Sequence, residues 1–391
     1  MTKKILILSS TFPRWSNDHV ASFVYDLARE QAKKMPVVVL APYSKGSKLY
    51  EEKSGMKIYR FKYWFERKYN LTDGGILPNL RRNPFYFLQI PPFVLSEIFS
   101  AIKIVRKEKI DLIHAQWIIP QGFTAMIIKK LFKVNYIVTS LGGDMFPLQT
   151  KNKPVLWLYK MIIINSSFMT AVNKSFIPQL DKLNNKKSYY IPNGVDITRF
   201  KKIPGNKRKK NILFVGRLVE KKGLIYLIEA LTSLDRTLYL KLLVVGDGPL
   251  RKILQEKVNE LGLNKKISFL GSIPYDRLIK LYDDSVLIVV PSVTTKIGDI
   301  EGFPTVYLDA MASGCPIITS KIDGIETIIK NNENGVVVKQ KDPKALANAI
   351  SNLINDDTLR GSIAQKALKD VRENYSWKTV GNQYSKLIAK L

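Results

Sequence analysis

The stretch that most restricts the fold is a strand, loop, helix and strand late in the chain. Residues 286–290 are a short apolar run that stops at Pro291. A polar loop leads to Glu301-Gly302-Phe303-Pro304, then to a helical run over 305–312. Ser313-Gly314 with a proline soon after is a helix-stop signature, and residues 317–319 read as the next strand. Glu301 therefore sits just ahead of a helix N-terminus at the end of a strand. Free backbone N–H groups and the helix dipole favour anionic or hydroxyl-rich ligands there. Asp309 follows about two turns along, so two acids look toward one side of the loop and helix. The pattern suits a ligand with a phosphate near the amides and sugar hydroxyls near the carboxylates. Spacing alone leaves a plainer alternative, a helix-capping Glu301 and a solvated Asp309.

The same alternation organises the rest. Residues 3–10 read as a buried strand and 21–33 as a helix with Val24, Leu27, Ala28, Gln31 and Ala32 on one side. A second strand follows at 36–40. This order predicts a parallel, doubly wound α/β sheet. Residues 43–100 are irregular, with a strand near 57–64, and 93–107 look helical. Alternation returns with a strand at 112–114, a helix at 123–132, a strand at 136–140 and the loop Leu141-Gly142-Gly143-Asp144. A turn-rich segment at 191–196 and a strand-free basic run at 201–210 mark a linker. Strands near 212–215, 240–245, 267–270, 286–290, 316–319 and 335–338 then build a second Rossmann-like domain. The expected division is a first domain over 1–192 and a second over 193–376. A last helix, 377–391, crosses back to the first domain. A length of 391 residues suits two such domains.

Gly216-Arg217-Leu218-Val219-Glu220-Lys221-Lys222-Gly223 follows the strand at 212–215 directly. It precedes a helix whose apolar side is Leu224, Leu227, Ile228, Leu231 and Leu234. A strand, a basic glycine loop and a helix present amides and cations to a diphosphate. Arg clamps oxygens in bidentate fashion and Lys adds a mobile point charge. Alone, such a loop could be an ordinary turn.

Together these segments resemble glycosyltransferase family 4, the retaining GT-B glycosyltransferases. The acids in E-G-F-P-T-V-Y-L-D-A-M-A-S-G-C-P are similar to its E-x7-E segment, and G-R-L-V-E-K-K-G to its G-R-L-x3-K-G motif. N-G-V-D (193–196) and G-D-G-P-L (246–250) resemble it as well. The resemblance implies two Rossmann-like domains facing across a cleft, an acceptor-binding one over 1–192 and a nucleotide-sugar-binding one over 193–376. It implies Arg217 and Lys222 on the donor diphosphate and Glu301 on the transferred sugar. Asp309 would take the ribose, although it is one methylene shorter than the usual Glu. Gly216, Gly302, Phe303, Pro304 and Thr305 would complete the donor site. The family's H-G-x-D loop is similar to Ser140-Leu141-Gly142-Gly143-Asp144, where leucine replaces the histidine. Gly142, Gly143, Asp144 and His19 are candidates for the acceptor side of the cleft. His19 could equally be a surface histidine. His114 reads as a buried packing residue rather than a base.

Charge and composition set the partners. The net charge is +29, of which residues 1–192 carry +18 from 30 basic and 12 acidic side chains. Aromatic-basic runs such as 57–68 lie in that half. Such a field attracts anionic lipid, phosphorylated substrates or nucleic acid; a lysine-rich composition without a specific partner is the bland alternative. The resemblance and the charge together imply a nucleoside-diphosphate-sugar and a glycan or polyprenyl-phosphate-linked acceptor at an anionic membrane surface, with no nucleic acid. One cysteine and two histidines make a structural zinc site implausible. No metal or other cofactor is expected. The apolar run after Lys4 is too short for a signal segment, and none reaches the ~18 residues of a membrane span. These features point to a cytoplasmic enzyme, peripheral at the inner membrane face. Sugar-nucleotide epimerisation, phosphorolysis, or a non-enzymatic basic binder are the rival readings.

Overall fold

The computed structural model describes residues 3–15, 18, 22–65, 71–72, 75–76, 79–80, 83–145, 152–184, 186–200, 208–235, 238, 240–296, 301, 303 and 305–391. The chain divides into two compact units, Met1–Asn193 with Trp377–Leu391, and Gly194–Ser376.

The first unit runs β1 (Ile5–Ser9), α1 (Ser22–Ala32), β2 (Val37–Pro42), β3 (Tyr50–Lys53), β4 (Met56–Phe61), α2 (Ile90–Glu108), β5 (Leu112–Gln116), α3 (Phe123–Phe132), β6 (Asn135–Ser140), α4 (Lys153–Asn165), β7 (Phe168–Ala171), α5 (Ile177–Asn184) and β8 (Tyr189–Tyr190). Its sheet has the order β3-β4-β2-β1-β5-β6-β7-β8. The central strands β1, β2 and β5 are wholly buried, which is why they read as continuous apolar runs. All neighbours are parallel except β3, which pairs antiparallel with β4. This hairpin corrects the reading of 43–56 as irregular. Ser54 and Gly55 both take positive φ, 52° and 75°, as a tight hairpin turn requires. The charged edge strand Tyr-Glu-Glu-Lys hides the signal because it buries little.

The second unit runs β9 (Lys209–Val215), α6 (Leu224–Ala230), β10 (Lys241–Val245), α7 (Arg251–Glu260), β11 (Ile267–Gly271), α8 (Tyr275–Asp284), β12 (Ser285–Val290), α9 (Thr305–Ser313), β13 (Ile317–Ser320), β14 (Val336–Val338), α10 (Pro343–Asn355) and α11 (Asp357–Asn374). Its sheet is parallel, in the order β11-β10-β9-β12-β13-β14. Strand order reverses between β9 and β12, and ligands of open α/β sheets bind beyond the carboxyl ends of strands at such a switch point. The core under it gathers Ile212, Phe214, Leu224, Leu227, Leu287 and Val289.

β9 begins at Lys209, so the end of the basic run is strand and not linker; residues 201–207 lie outside the described residues. Arg208 ties this strand down. It donates to the carbonyls of Tyr282, Asp283, Ser285, Ser313 and Gly314, at the ends of α8 and α9. The last helix, α12 (Trp377–Ile388), belongs to the first unit. Its Trp377, Val380, Tyr384, Leu387 and Ile388 share a core with Val24, Leu27 and Ala28 of α1.

Candidate functional site

Three loops meet beyond the carboxyl ends of β9, β10 and β12. The Gly216 and Leu218 amides donate to Val245 and Asp247 carbonyls at 3.0 and 2.9 Å. The Val293 amide donates to the Lys221 carbonyl at 2.8 Å. Two glycines make this packing possible. Gly223 has φ 63°, and a Cβ there would lie 1.9 Å from the Pro291 oxygen. Gly246 has φ 127°, and a Cβ would lie 2.0 Å from the Gly216 oxygen. No side chain fits either place, so the basic loop is pressed against the end of β12.

That packing puts Lys222 under the loop. Its Nζ lies 3.1 Å from Glu301 Oε2, and the two side chains keep only 12% and 9% exposure. The aliphatic stem of Lys222 lies beside Gly216, where a Cβ would come within 3.2 Å of it. Glu301 Oε1 is buried and has no hydrogen-bond partner among the described residues. An ionised oxygen in that state is a ready acceptor for an incoming hydroxyl. Arg217 stands on the same loop, exposed, with no side-chain partner among the described residues.

Phe303 is buried and faces the Tyr375 ring at 6.5 Å, and the Tyr375 hydroxyl donates to the Thr327 carbonyl at 2.8 Å. Thr305 is half-buried and opens α9. The helix starts there, as its expected span of 305–312 has it, and Asp309 lies one turn into it. Asp309 Oδ1 accepts from the Tyr275 hydroxyl at 2.8 Å. Gly302, Pro304 and His19 lie outside the described residues.

The first-unit candidates have a different character. Asp144 is buried. Its Oδ1 accepts from Ser140 Oγ at 2.8 Å and the Gly142 amide at 2.9 Å, and its Oδ2 accepts from the Ile118 amide at 3.2 Å. Burial pushes its carboxyl up to about 6 against these hydrogen bonds. These bonds tie the loop after β6 to the start of the turn after β5, so Asp144 holds the two segments together. Gly142 takes φ 104° there, and Gly143 is exposed. His114 is fully buried, with Nε2 2.7 Å from Thr139 Oγ1 and its ring against Tyr384. Burial pulls it down to about 3, so it stays neutral and packs.

Three contributors escape sequence reasoning. Tyr275 reaches Asp309 from another helix, and the Arg199 guanidinium lies 5.5 Å over its ring. Gln340 accepts from the Thr294 amide at 2.8 Å and donates to the Lys321 carbonyl at 2.7 Å, pinning the loop after β12. Glu97, fully buried, accepts from Gln121 at 3.0 Å and Thr124 at 2.7 Å, and Gln121 in turn accepts from Ser10 at 2.9 Å. Burial pushes Glu97 up to about 7. A helical Glu flanked by apolar residues was the only available signal. Among the described residues, no group of three or more His, Cys, Asp or Glu side chains gathers as a metal site.

Comparison with known proteins settles the family. The Glycosyl transferases group 1 model matches residues 196–370, and the Glycosyltransferase Family 4 model matches 20–199. An uncharacterized glycosyltransferase of Methanocaldococcus jannaschii, MJ1178, is 30% identical over 288 residues, 72% of this chain and 77% of that protein. The chain belongs to the family 4, group 1 glycosyltransferases. The enzyme is also 27% identical to the putative colanic acid biosynthesis glycosyltransferase WcaL of Escherichia coli, over 80% of this chain and 77% of WcaL. Its fold matches that of Anabaena Alr3699/HepE, solved with UDP and glucose, with a TM-score of 0.76, 19% identity and full coverage of both chains. The glycosyltransferase thus has the GT-B type of fold, two parallel-sheet α/β units.

Proposed function

We propose that the enzyme transfers a sugar from a nucleoside-diphosphate-sugar to a hydroxyl of a glycan or polyprenyl-phosphate-linked glycan, with retention of anomeric configuration. The observation that carries this reading is the Lys222–Glu301 pair at the switch point, with one Glu301 oxygen unpartnered among the described residues. The sugar would bring a hydroxyl to Oε1, and the diphosphate would lie against Lys222 and Arg217. As the C1–O bond to phosphate breaks, charge grows on the leaving oxygen, and fixed cations stabilise it without reorganising. The acceptor oxygen bonds to C1 on the same face, and its proton passes to the departing phosphate. Glu301 orients the sugar in this scheme and is not the covalent nucleophile. In this scheme the two bases meet the charge that a divalent cation meets in other transferases.

Relatives named for colanic acid and teichuronic acid biosynthesis favour a cell-surface polysaccharide. The +18 charge of residues 1–192 favours an anionic membrane surface and a phosphate-linked acceptor over nucleic acid, with the enzyme working from the cytoplasmic side. A thermal-shift screen with UDP, GDP and ADP, then their sugars, tests the donor. UDP goes first because the HepE structure holds it. Stabilisation by one base, and turnover that needs an acceptor and persists in chelator, is the expected result. Turnover without an acceptor hydroxyl would favour epimerisation instead.

A further inference from the structure

An exposed apolar surface of the first unit lies on α2 (Ile90–Glu108) and the 3-10 turn Pro84–Gln89 that leads into it. Phe85, Phe87, Leu88, Leu95 and Phe99 are 53 to 76% exposed. Leu88, Leu95 and Phe99, followed by half-buried Ile102, recur at helical spacing along one side. The opposite side holds Phe93, Glu97, Ala101, Ile104 and Val105 in the core. By length and composition Pro84–Glu108 could cross a membrane. Its packing forbids that here. Glu97 is hydrogen-bonded inside the unit, and Glu108 is buried against Lys57 and Tyr59. The helix can offer a bilayer only its outer stripe.

The charge on this layer has one sign. α2 packs on α3 and α3 on α4. The two acids of α2 are buried, and α3 and α4 contain none. What the three helices expose is Lys103, Arg106, Lys107, Lys130, Lys153 and Lys160, with Trp157 between the last two. An apolar stripe flanked only by cations fits a bilayer interface of anionic lipid, where apolar side chains enter the acyl boundary and lysines meet the headgroups. A second copy of the chain fits poorly, because the same cations would face each other.

We infer that this face, with Phe85, Leu88, Leu95 and Phe99 as its apolar wedge, seats the enzyme on anionic lipid with α2 lying in the plane of the interface. The inference rests on the membrane part of the proposed function and names the surface that carries it. Apolar insertion supplies the part of the binding that salt does not screen, and the lysines supply the salt-sensitive part.

The test is flotation with phosphatidylglycerol-containing vesicles and with pure phosphatidylcholine vesicles. Wild type is expected to float with the anionic vesicles. The variant Phe85→Ser/Leu88→Ser/Leu95→Ser/Phe99→Ser is expected to lose about tenfold or more in partitioning with its melting temperature unchanged, since these side chains are exposed. A variant that floats like wild type overturns this face while leaving the membrane reading in place. Wild type that floats with neither vesicle overturns both. A wild-type dimer that the same substitutions convert to monomer makes the face a contact between copies and overturns the inference. A second measurement does not depend on the fourfold variant folding. Cys315 is buried, so Phe99→Cys can be labelled with an environment-sensitive dye. Its emission should shift to the blue on anionic vesicles, and an unchanged spectrum overturns the inference.

Discussion

Breaking the Lys222–Glu301 pair separates catalysis from architecture. Both side chains are nearly buried at 3.1 Å. Removing one partner of a fully buried pair costs about 3–5 kcal/mol, because the other charge is stranded. Here each keeps about a tenth of its surface and lysine has a flexible stem, so the lower end applies. The catalytic losses have other sources. Glu301→Gln removes a charged acceptor from the sugar, a bond worth about 1.5–3 kcal/mol, so kcat/KM should fall roughly 10- to 150-fold. Lys222→Ala removes a cation from the leaving diphosphate, and kcat should fall about 100- to 1,000-fold. The decisive case is Lys222→Met/Glu301→Gln. It strands no charge, so it should melt closer to wild type than either single variant while staying inactive. The assay pairs thermal melting with release of nucleoside diphosphate from the donor found by the screen. Activity that returns along with stability in the double variant would refute the argument and leave the pair a structural one.

Other expectations follow from the same geometry. Arg217→Ala should weaken nucleoside diphosphate binding about tenfold or more by calorimetry without lowering the melting temperature, because the side chain is exposed and contributes only its charge-assisted bonds. Gly223→Ala should lower the melting temperature by several degrees and abolish the nucleotide-induced shift, since its Cβ would clash with the Pro291 carbonyl at a left-handed φ; a normal shift would mean the loop tolerates a different path. Glu97 has its carboxyl raised by burial from 4.5 to about 7. The stability present below pH 4.5 is therefore lost as pH rises through about 7, on the order of 3 kcal/mol. Wild type should melt progressively lower than Glu97→Gln between pH 5 and 8, and parallel curves would contradict that assignment.

How far the sequence carried depended on the range of each interaction. Strands buried on both faces announce themselves as apolar runs, so 286–290 lies within Ser285–Val290 and 212–215 within Lys209–Val215. The α3 bounds agree residue for residue, because its signals are local. The β3–β4 hairpin escaped because Tyr50–Lys53 is a charged edge with nothing to bury. The family resemblance placed Lys222 and Glu301 in the same function, but only the fold shows them 3.1 Å apart across 79 residues. The sequence could not show that one Glu301 oxygen is buried without a partner among the described residues. The loop-holding bonds of Asp144, to Ser140 Oγ and to the Gly142 and Ile118 amides, are not revealed by any spacing. Tyr275 and Gln340 are joined to the site region across 34 and 46 residues of chain, and neither stands in a motif.

A crystal structure with the nucleoside diphosphate that the screen selects bears most directly on the donor assignment. The account predicts phosphate oxygens at about 3 Å from the Arg217 guanidinium and Lys222 Nζ, beyond the carboxyl ends of β9 and β12. With the intact donor, a sugar hydroxyl should lie at the same distance from Glu301 Oε1. Nucleotide bound elsewhere, or sugar turned away from Glu301 while the Lys222 pair stays closed, would contradict it.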